Sequence, residues 1–344
     1  MALTKVDPTV VDDQVFGGRR LNINGDMRVA QRGTKTSMQN GYGGPDRVRL
    51  ATNSLGVFTM SQSSGSPNNF AKSFQLTTTT ANGSPAADAY VLLQYKFEGN
   101  DLTSLKWGTA DAEQVTVSFW VKTNKTGTYN LELYQLDNSS YPHANKQYTV
   151  SSADTWEKKV VTFPAGNNVE IPLDNTNALN LNFWLGGGSN YTSGSASDGN
   201  FHSTNANRAA GNVNIADSTS NAFRITGLQI ETGTQATPFE YRSIGEEYML
   251  CQRYYHKADI SDSYPIWLHP LTTNDTNYRR QNYNFPTKMR ATPSMTVTCS
   301  GTGTETSSGV ESTTSSRVGL INDMNADSGQ HYATCQALAA DAEL

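Results

Sequence analysis

The chain has 344 residues, 36% of them hydrophobic and only 17% charged, and 26 Lys and Arg against 31 Asp and Glu leave a net charge of −5. Low charge together with 12 Phe, 5 Trp and 16 Tyr excludes a highly charged disordered chain. The lack of any basic stripe excludes a nucleic-acid binder that works by neutralising phosphates.

Residues 1–18 form a polar lead with Asp12 and Asp13 and a Gly17-Gly18 hinge, sized either to dock on another protein or to fray. The lead lacks the apolar run of a signal peptide, and no stretch reaches the ~20 apolar residues of a membrane helix, so synthesis in a cytosol and no membrane insertion are expected. From 19 to 243, turn residues separate short strands. The clearest is 115–122, which alternates with Val115, Val117, Phe119 and Val121 on one face. A loop containing Gly127 leads to the strand at 129–136, with Tyr129, Leu131, Leu133 and Gln135 on one side. Further strands are expected at 72–79, 90–97, 156–163, 179–185 and 223–231. Strands at this spacing, without long amphipathic helices between them, specify an antiparallel β-sandwich of jelly-roll type. Residues 186–221 form a long connection rich in Gly, Ser, Asn and Thr, either a binding or subunit-contact segment or a mere excursion.

One helix is expected, at 244–257. Ser243 and Glu246 can form a capping box, and Glu246 and Glu247 suit the positive end of the helix dipole. Ile244, Tyr248, Cys251 and Tyr255 fall on one face, making them candidates for subunit contact. The helix reads as a neck at 244–258, between the sandwich (19–243) and a smaller C-terminal β domain (259–344). Strands are expected there at 264–269, 277–285, 295–299, 317–321 and 332–338.

No GxxxxGK[ST], HExxH or GxSxG motif occurs. The five histidines are scattered, and Cys251, Cys299 and Cys335 lie too far apart for a Cys/His metal cluster; they read as three small buried hydrophobes, with a Cys299–Cys335 disulfide as an alternative that nothing in the sequence demands. The reading is a non-enzyme without cofactor or metal. A surface rich in Asn, Ser, Thr and aromatics suits sugars, because amides and hydroxyls match sugar hydroxyls and flat rings stack on sugar C–H faces. The aromatic candidates are Trp107, Tyr134, Tyr141, Trp184, Tyr191, Trp267 and Tyr278. The glycan-contact set is narrowed to Trp267, His269 and Tyr278 in the distal domain, with Trp184 and Tyr191 in the sandwich.

The segments LNINGDMRVAQRG (21–33), VTVSFWVK (115–122), WEKK (156–159), ITGLQIETG (225–233), TPFEYR (237–242) and GEEYMLCQRYY (245–255) occur in this order. In that order they resemble the tail-fibre and related virion structural proteins of tailed bacteriophages, marine and cyanobacterial ones especially. The terminal DAEL (341–344) resembles endings of such proteins, and the opening and closing strands are similar to those of jelly-roll carbohydrate-binding modules. The resemblance implies a virion component, usually a homotrimer, assembled in the host cytoplasm. Its lead would join other tail proteins and its outer part would touch a host-surface glycan. A capsid decoration or tail-assembly protein is the alternative, and a cellular carbohydrate-binding module the second. Carbohydrate-binding modules often hold a structural Ca²⁺; Asp26 and Glu231 are the oxygen donors such a site would draw on, and no metal is assigned.

Overall fold

Alternating apolar residues need two sheets to bury one face of each, and the chain builds them. The computed structural model describes residues 19–67, 69–136, 140, 142–261, 263–270, 278–301, 305–324 and 333–344, with side chains throughout except at 269–270, 278–279, 301, 305–308 and 322–324. It divides into two compact units, Met1–Ser243 and Ile244–Leu344.

The first unit is a jelly-roll β-sandwich of two six-stranded antiparallel sheets. One sheet runs, in spatial order, β1 (Lys35–Met38), β4 (Val57–Ser63), β5 (Ser73–Thr80), β12 (Ala222–Thr232), β7 (Val115–Thr123) and β10 (Glu157–Phe163). The other runs β2 (Asn40–Tyr42), β3 (Val48–Asn53), β6 (Tyr90–Glu98), β11 (Asn177–Gly187), β8 (Gly127–Gln135) and β9 (His143–Val150). Val117, Phe119 and Val121 of β7 are fully buried against Leu131, Leu133 and Phe183 of the facing sheet. Each such side chain contributes about 1.5–3 kcal/mol.

The segment after Arg20 does not form a regular strand; its Asn22 side chain does the pairing instead. Asn22 accepts from Ile230 N–H and donates to Leu228 C=O, beside a bulge between Thr226 and Gln229 of β12. Gly227 makes that bulge with φ +60°, and a Cβ there would stand 2.6 Å from the Phe70 ring.

The long connection between β11 and β12 is ordered. It carries a one-turn helix, α1 (Ser189–Thr192), and 3-10 turns at Asn205–Asn207 and Ile215–Asp217. Its residues 207–212 bond the outward side chains of β8 and β9, and Ile215 and Ala216 enter the sandwich core.

The second unit opens with α2 (Ile244–Gln252), five residues shorter than the expected 244–257. The Tyr254 N–H closes back on Cys251 C=O, and the chain then enters β13 (Tyr255–Lys257), which pairs with β19 (Ala333–Asp341). Between these lie β14 (Ile266–Pro270), β15 (Tyr278–Asn284), β16 (Ser294–Gly301), β17 (Glu305–Thr313) and β18 (Arg317–Met324). The seven strands form one antiparallel sheet in the order β13-β19-β14-β15-β18-β17, with β16 also on β19. Its core gathers Leu268, Met289, Val318, Leu320, Cys335, Leu338 and Ala340. Cys299 and Cys335, register partners across β16 and β19, form a disulfide.

The expected helical stripe is split. Cys251 is buried, Tyr255 is half-buried in a strand, and Ile244 and Tyr248 are exposed together with Met249. Cys251 and Tyr255 therefore do not share an open helical face with Ile244 and Tyr248: the helix ends before Tyr255, and Cys251 points to the side that Tyr254 and Glu247 also bury.

Candidate functional site

Strand alternation sends every second residue of the second sheet away from the sandwich core. On that outer face, one register row reads Arg49, Gln94, Asn182, Glu132, Asn145 across β3, β6, β11, β8 and β9. Hydrogen bonds join the row from Arg49 as far as Glu132. Arg49 donates to Gln94 at 2.5 Å, Gln94 to Asn182 Oδ1 at 3.0 Å, and Asn182 to Glu132 Oε2 at 2.8 Å. At the far end, His202 bonds Asn145 Oδ1 at 2.9 Å, and Asn145 donates to Asn207 C=O at 2.8 Å.

Arg208, from the connection, closes on Glu132 with two hydrogen bonds of 2.7 and 3.0 Å. Its guanidinium lies over the rings of Tyr134 (4.7 Å), Trp184 (5.2 Å) and Tyr191 (5.8 Å). The Glu132 side chain has no solvent exposure. Burial pushes its pKa up, but the Arg208 charge and hydrogen bonds outweigh that and hold the carboxyl below its usual range. The connection is fastened at further points: Asn130 and Gln147 donate to Ala210 C=O, Asn130 N–H donates to Asn212 Oδ1, and His143 and His202 exchange backbone hydrogen bonds.

This cover changes the standing of Trp184. As alternation requires, it sits outward on β11, yet it is 1% exposed, beneath Ala209 and Arg208. It is not an open platform, because the 36-residue stretch from 186 to 221 folds back over it. Its indole N–H is left without a hydrogen-bond partner. Tyr191 is half-buried against Trp184 at 5.2 Å and is brought to the same place. Trp107 is buried, its N–H donating to Glu113 C=O. Trp267 on β14 is 53% exposed in the second unit. Tyr141 and the side chains of His269 and Tyr278 lie outside the described residues.

Beside this row, the outer face carries a residue the sequence did not single out. The next row reads Lys96, Asn180, Tyr134, His143 across β6, β11, β8 and β9. Asn180 is 3% exposed, and its Oδ1 has no hydrogen-bond partner among the described residues. A buried amide oxygen without a partner costs about 1–3 kcal/mol unless water or a ligand meets it. Half-buried Lys96 and half-buried Tyr134 flank it directly, and the Gln94–Asn182 pair runs beside it. The outward polar run Asn180, Asn182 within the apolar Leu179, Leu181, Phe183 was the available sequence signal.

The Ca²⁺ donors do not converge. Asp26 meets Arg28 through Oδ2 and leaves its buried Oδ1 without a partner, while both Glu231 oxygens are taken by Thr237, with Gln229 also donating to Oε1. Among the described residues, no group of three or more His, Cys, Asp or Glu is placed to hold a metal, so Asp26 and Glu231 do not fit the Ca²⁺ site that carbohydrate-binding modules often carry.

No family model and no curated protein matches the chain. Solved structures similar to it include the enzymatically active domain of tailspike protein 4 of bacteriophage CBA120, at 14% identity over 57% of this chain and 21% of that one, with a TM-score of 0.31. Another is the family 11 carbohydrate-binding module of a Clostridium thermocellum cellulosomal cellulase, at 11% identity, 60% and 98% coverage and a TM-score of 0.31. A third is a putative sugar binding protein from Bacteroides thetaiotaomicron, at 8% identity, 62% and 100% coverage and a TM-score of 0.35. The chain thus spans about a fifth of the tailspike domain and nearly all of the two others. Likeness at this level carries no inference about ligand or partner, which must come from the residues themselves.

Proposed function

We propose that the chain is a non-catalytic glycan-binding protein whose sugar site is the outer face around Asn180. The observation that carries this reading is the Asn180 amide, nearly buried, with its oxygen unpartnered, in register between Lys96 and Tyr134. An amide offers sugar hydroxyls both a donor and an acceptor, Lys96 offers a further donor, and the Tyr134 ring offers an apolar edge. Arg208 and the wired row beneath hold these groups in place before any ligand arrives, which lowers the ordering cost of binding. Catalysis finds little support here. Glu132 is tied to Arg208 and Asn182, and Glu98, on the same face, stands two strands and four residues away, roughly 16 Å by backbone spacing. Paired glycosidase carboxylates stand about 5–9.5 Å apart. A glycan array probed with the full-length protein and with Asn180→Ala tests the site: glycans retained by the wild type and lost by the variant support it, and an unchanged pattern refutes it.

The order of the sequence motifs favours a particular setting, a bacteriophage tail fibre in which the glycan belongs to the host envelope and residues 1–18 join other tail proteins. Exposed Ile244, Tyr248 and Met249 on α2 support a homotrimer contact in that setting. Immunogold labelling of virions separates the settings. Label on the tail supports this one, label on the capsid supports a decoration protein, and no virion label supports a cellular carbohydrate-binding module.

A further inference from the structure

Beyond β9, at the edge of the sandwich, three loops enclose a cleft of about 570 Å³, within the roughly 300–1,000 Å³ of small-ligand sites. Ser140 and Pro142 come from the β8–β9 turn, residues 165–169 from the loop after β10, and Asn200, Phe201, His202 and Ser203 from the long connection. Each wall is fixed. Val169 N–H donates to Gly166 C=O at 3.0 Å, and Gly108 N–H donates to the same carbonyl at 3.0 Å. Phe201 stands edge-on to the buried Trp107 ring, with centroids 5.3 Å apart. His202 accepts from Thr204 N–H at Nδ1 and bonds Asn145 Oδ1 through Nε2, the pattern of a neutral imidazole.

The lining is chemically selective. Among the described residues that line it, none carries a formal charge at neutral pH; burial and the neighbouring His143 hold His202 below its usual pKa. Exposed Asn167, Asn168, Asn200 and Ser203 form a rim of amides and a hydroxyl, and half-buried Phe201 supplies an apolar surface at the floor. Among the described residues, the Asn167 and Asn168 side chains find no hydrogen-bond partner, and both amides face a ligand at the rim. The Asp198 carboxylate accepts from the rim amide of Asn200 at 2.8 Å, but no described lining residue is itself charged, and a neutral ring carrying hydroxyls on its rim and C–H groups on its face matches both surfaces.

We propose that this cleft is a second binding site, separate from the Asn180 face, for a neutral hydroxyl-rich ligand: a mono- or disaccharide unit. His202 bridges to His143, which pairs with Tyr134 and then Asn180. These three strand spacings put the cleft floor roughly 14 Å from Asn180. Sites farther apart than about 7–10 Å respond independently to mutation, so the cleft stands or falls on its own.

The test is calorimetric titration of the full-length protein with cellobiose, maltose, lactose and sucrose at millimolar concentration, using wild type, Phe201→Ala, the rim double variant Asn167→Ala/Asn168→Ala, and Asn180→Ala. The rim variant touches no buried group and guards against a folding effect of Phe201→Ala. Expected is binding of at least one disaccharide, weakened about tenfold by the rim variant through two lost hydrogen bonds and unchanged by Asn180→Ala. The proposal is overturned if none of the sugars binds, or if binding is lost in Asn180→Ala and untouched by the rim variant. In the latter case the disaccharide belongs to the outer face.

Discussion

Replacing Arg208 by Met keeps a stem of similar length over Tyr134 and Trp184 but leaves the Glu132 carboxylate, with no solvent exposure, facing Asn182 alone. Removing one partner of a buried pair costs about 3–5 kcal/mol, because the remaining charge is stranded. At an m-value near 3 kcal/mol/M, the urea midpoint of the first unit falls by about 1–2 M at pH 7. The pH dependence carries the sharper test. In the wild type the Glu132 pKa is depressed, so its contribution is present above the ordinary carboxylate range and fades as pH falls through the folded value. In Arg208→Met, burial acts unopposed and raises the folded pKa, so protonation favours the folded variant. The deficit therefore shrinks between neutral pH and about pH 4. Glu132→Gln behaves differently: Arg208 stays charged at every accessible pH, and its deficit does not shrink in acid. Urea titrations at both pH values on the three proteins decide the matter. An Arg208→Met deficit below about 1 kcal/mol, or one that persists in acid, refutes the assignment of Arg208 as the charge that holds the connection on the sheet.

Loss of the Cys299–Cys335 disulfide, which spans 36 residues, should lower the stability of the second unit by about 3–4 kcal/mol in the chain-entropy model, seen as a lower thermal midpoint for the double Ser variant. His256, buried between Gln252 and the Tyr283 hydroxyl, has its pKa lowered from 6.5 to about 4 by burial. A neutral buried His contributes stability above its unfolded pKa and loses it as the unfolded chain protonates first, so the second unit should weaken from about pH 6.5 down to about pH 4. His256→Gln should flatten that decline. Gly227→Ala should destabilise the first unit by about 1–3 kcal/mol, since a left-handed backbone and the Phe70 ring both resist a methyl group; a midpoint equal to wild type would refute the strained bulge.

Where a strand alternates cleanly over a dry core, its residues announce it. β7 and β8 turn inward the same Val, Phe, Tyr and Leu positions that the spacing picks out. β9 was not expected, because its outward His143 and Asn145 are buried beneath the connection while its inward series includes Lys146, so apolar and polar residues no longer sort by exposure. β1 and β2 are too short and polar to leave a period, and β17 reads ETSSGVEST, with little apolar content. The helix was overextended because Tyr255 continues its spacing, but pairing Tyr255 with Asp341 outweighs one more helical turn. For the site, alternation correctly sets Trp184 outward. Nothing local in residues 186–221 tells that they return to cover it, since the decisive contact joins Arg208 to Glu132, 76 residues away. Asn180 passed unnoticed because an outward Asn on a strand normally faces solvent, and only the neighbouring rows reveal that it is almost enclosed.

The most direct measurement is isothermal titration of the strongest array glycan into wild type, Asn180→Ala and Trp267→Ala. Trp267 is an exposed aromatic of the second unit; Asn180 belongs to the outer face of the first. The account predicts that Asn180→Ala weakens binding about tenfold, the value of one or two hydrogen bonds to a buried amide, and that Trp267→Ala leaves it unchanged. Loss of binding in Trp267→Ala with wild-type affinity in Asn180→Ala would contradict it and move the glycan site to the second unit.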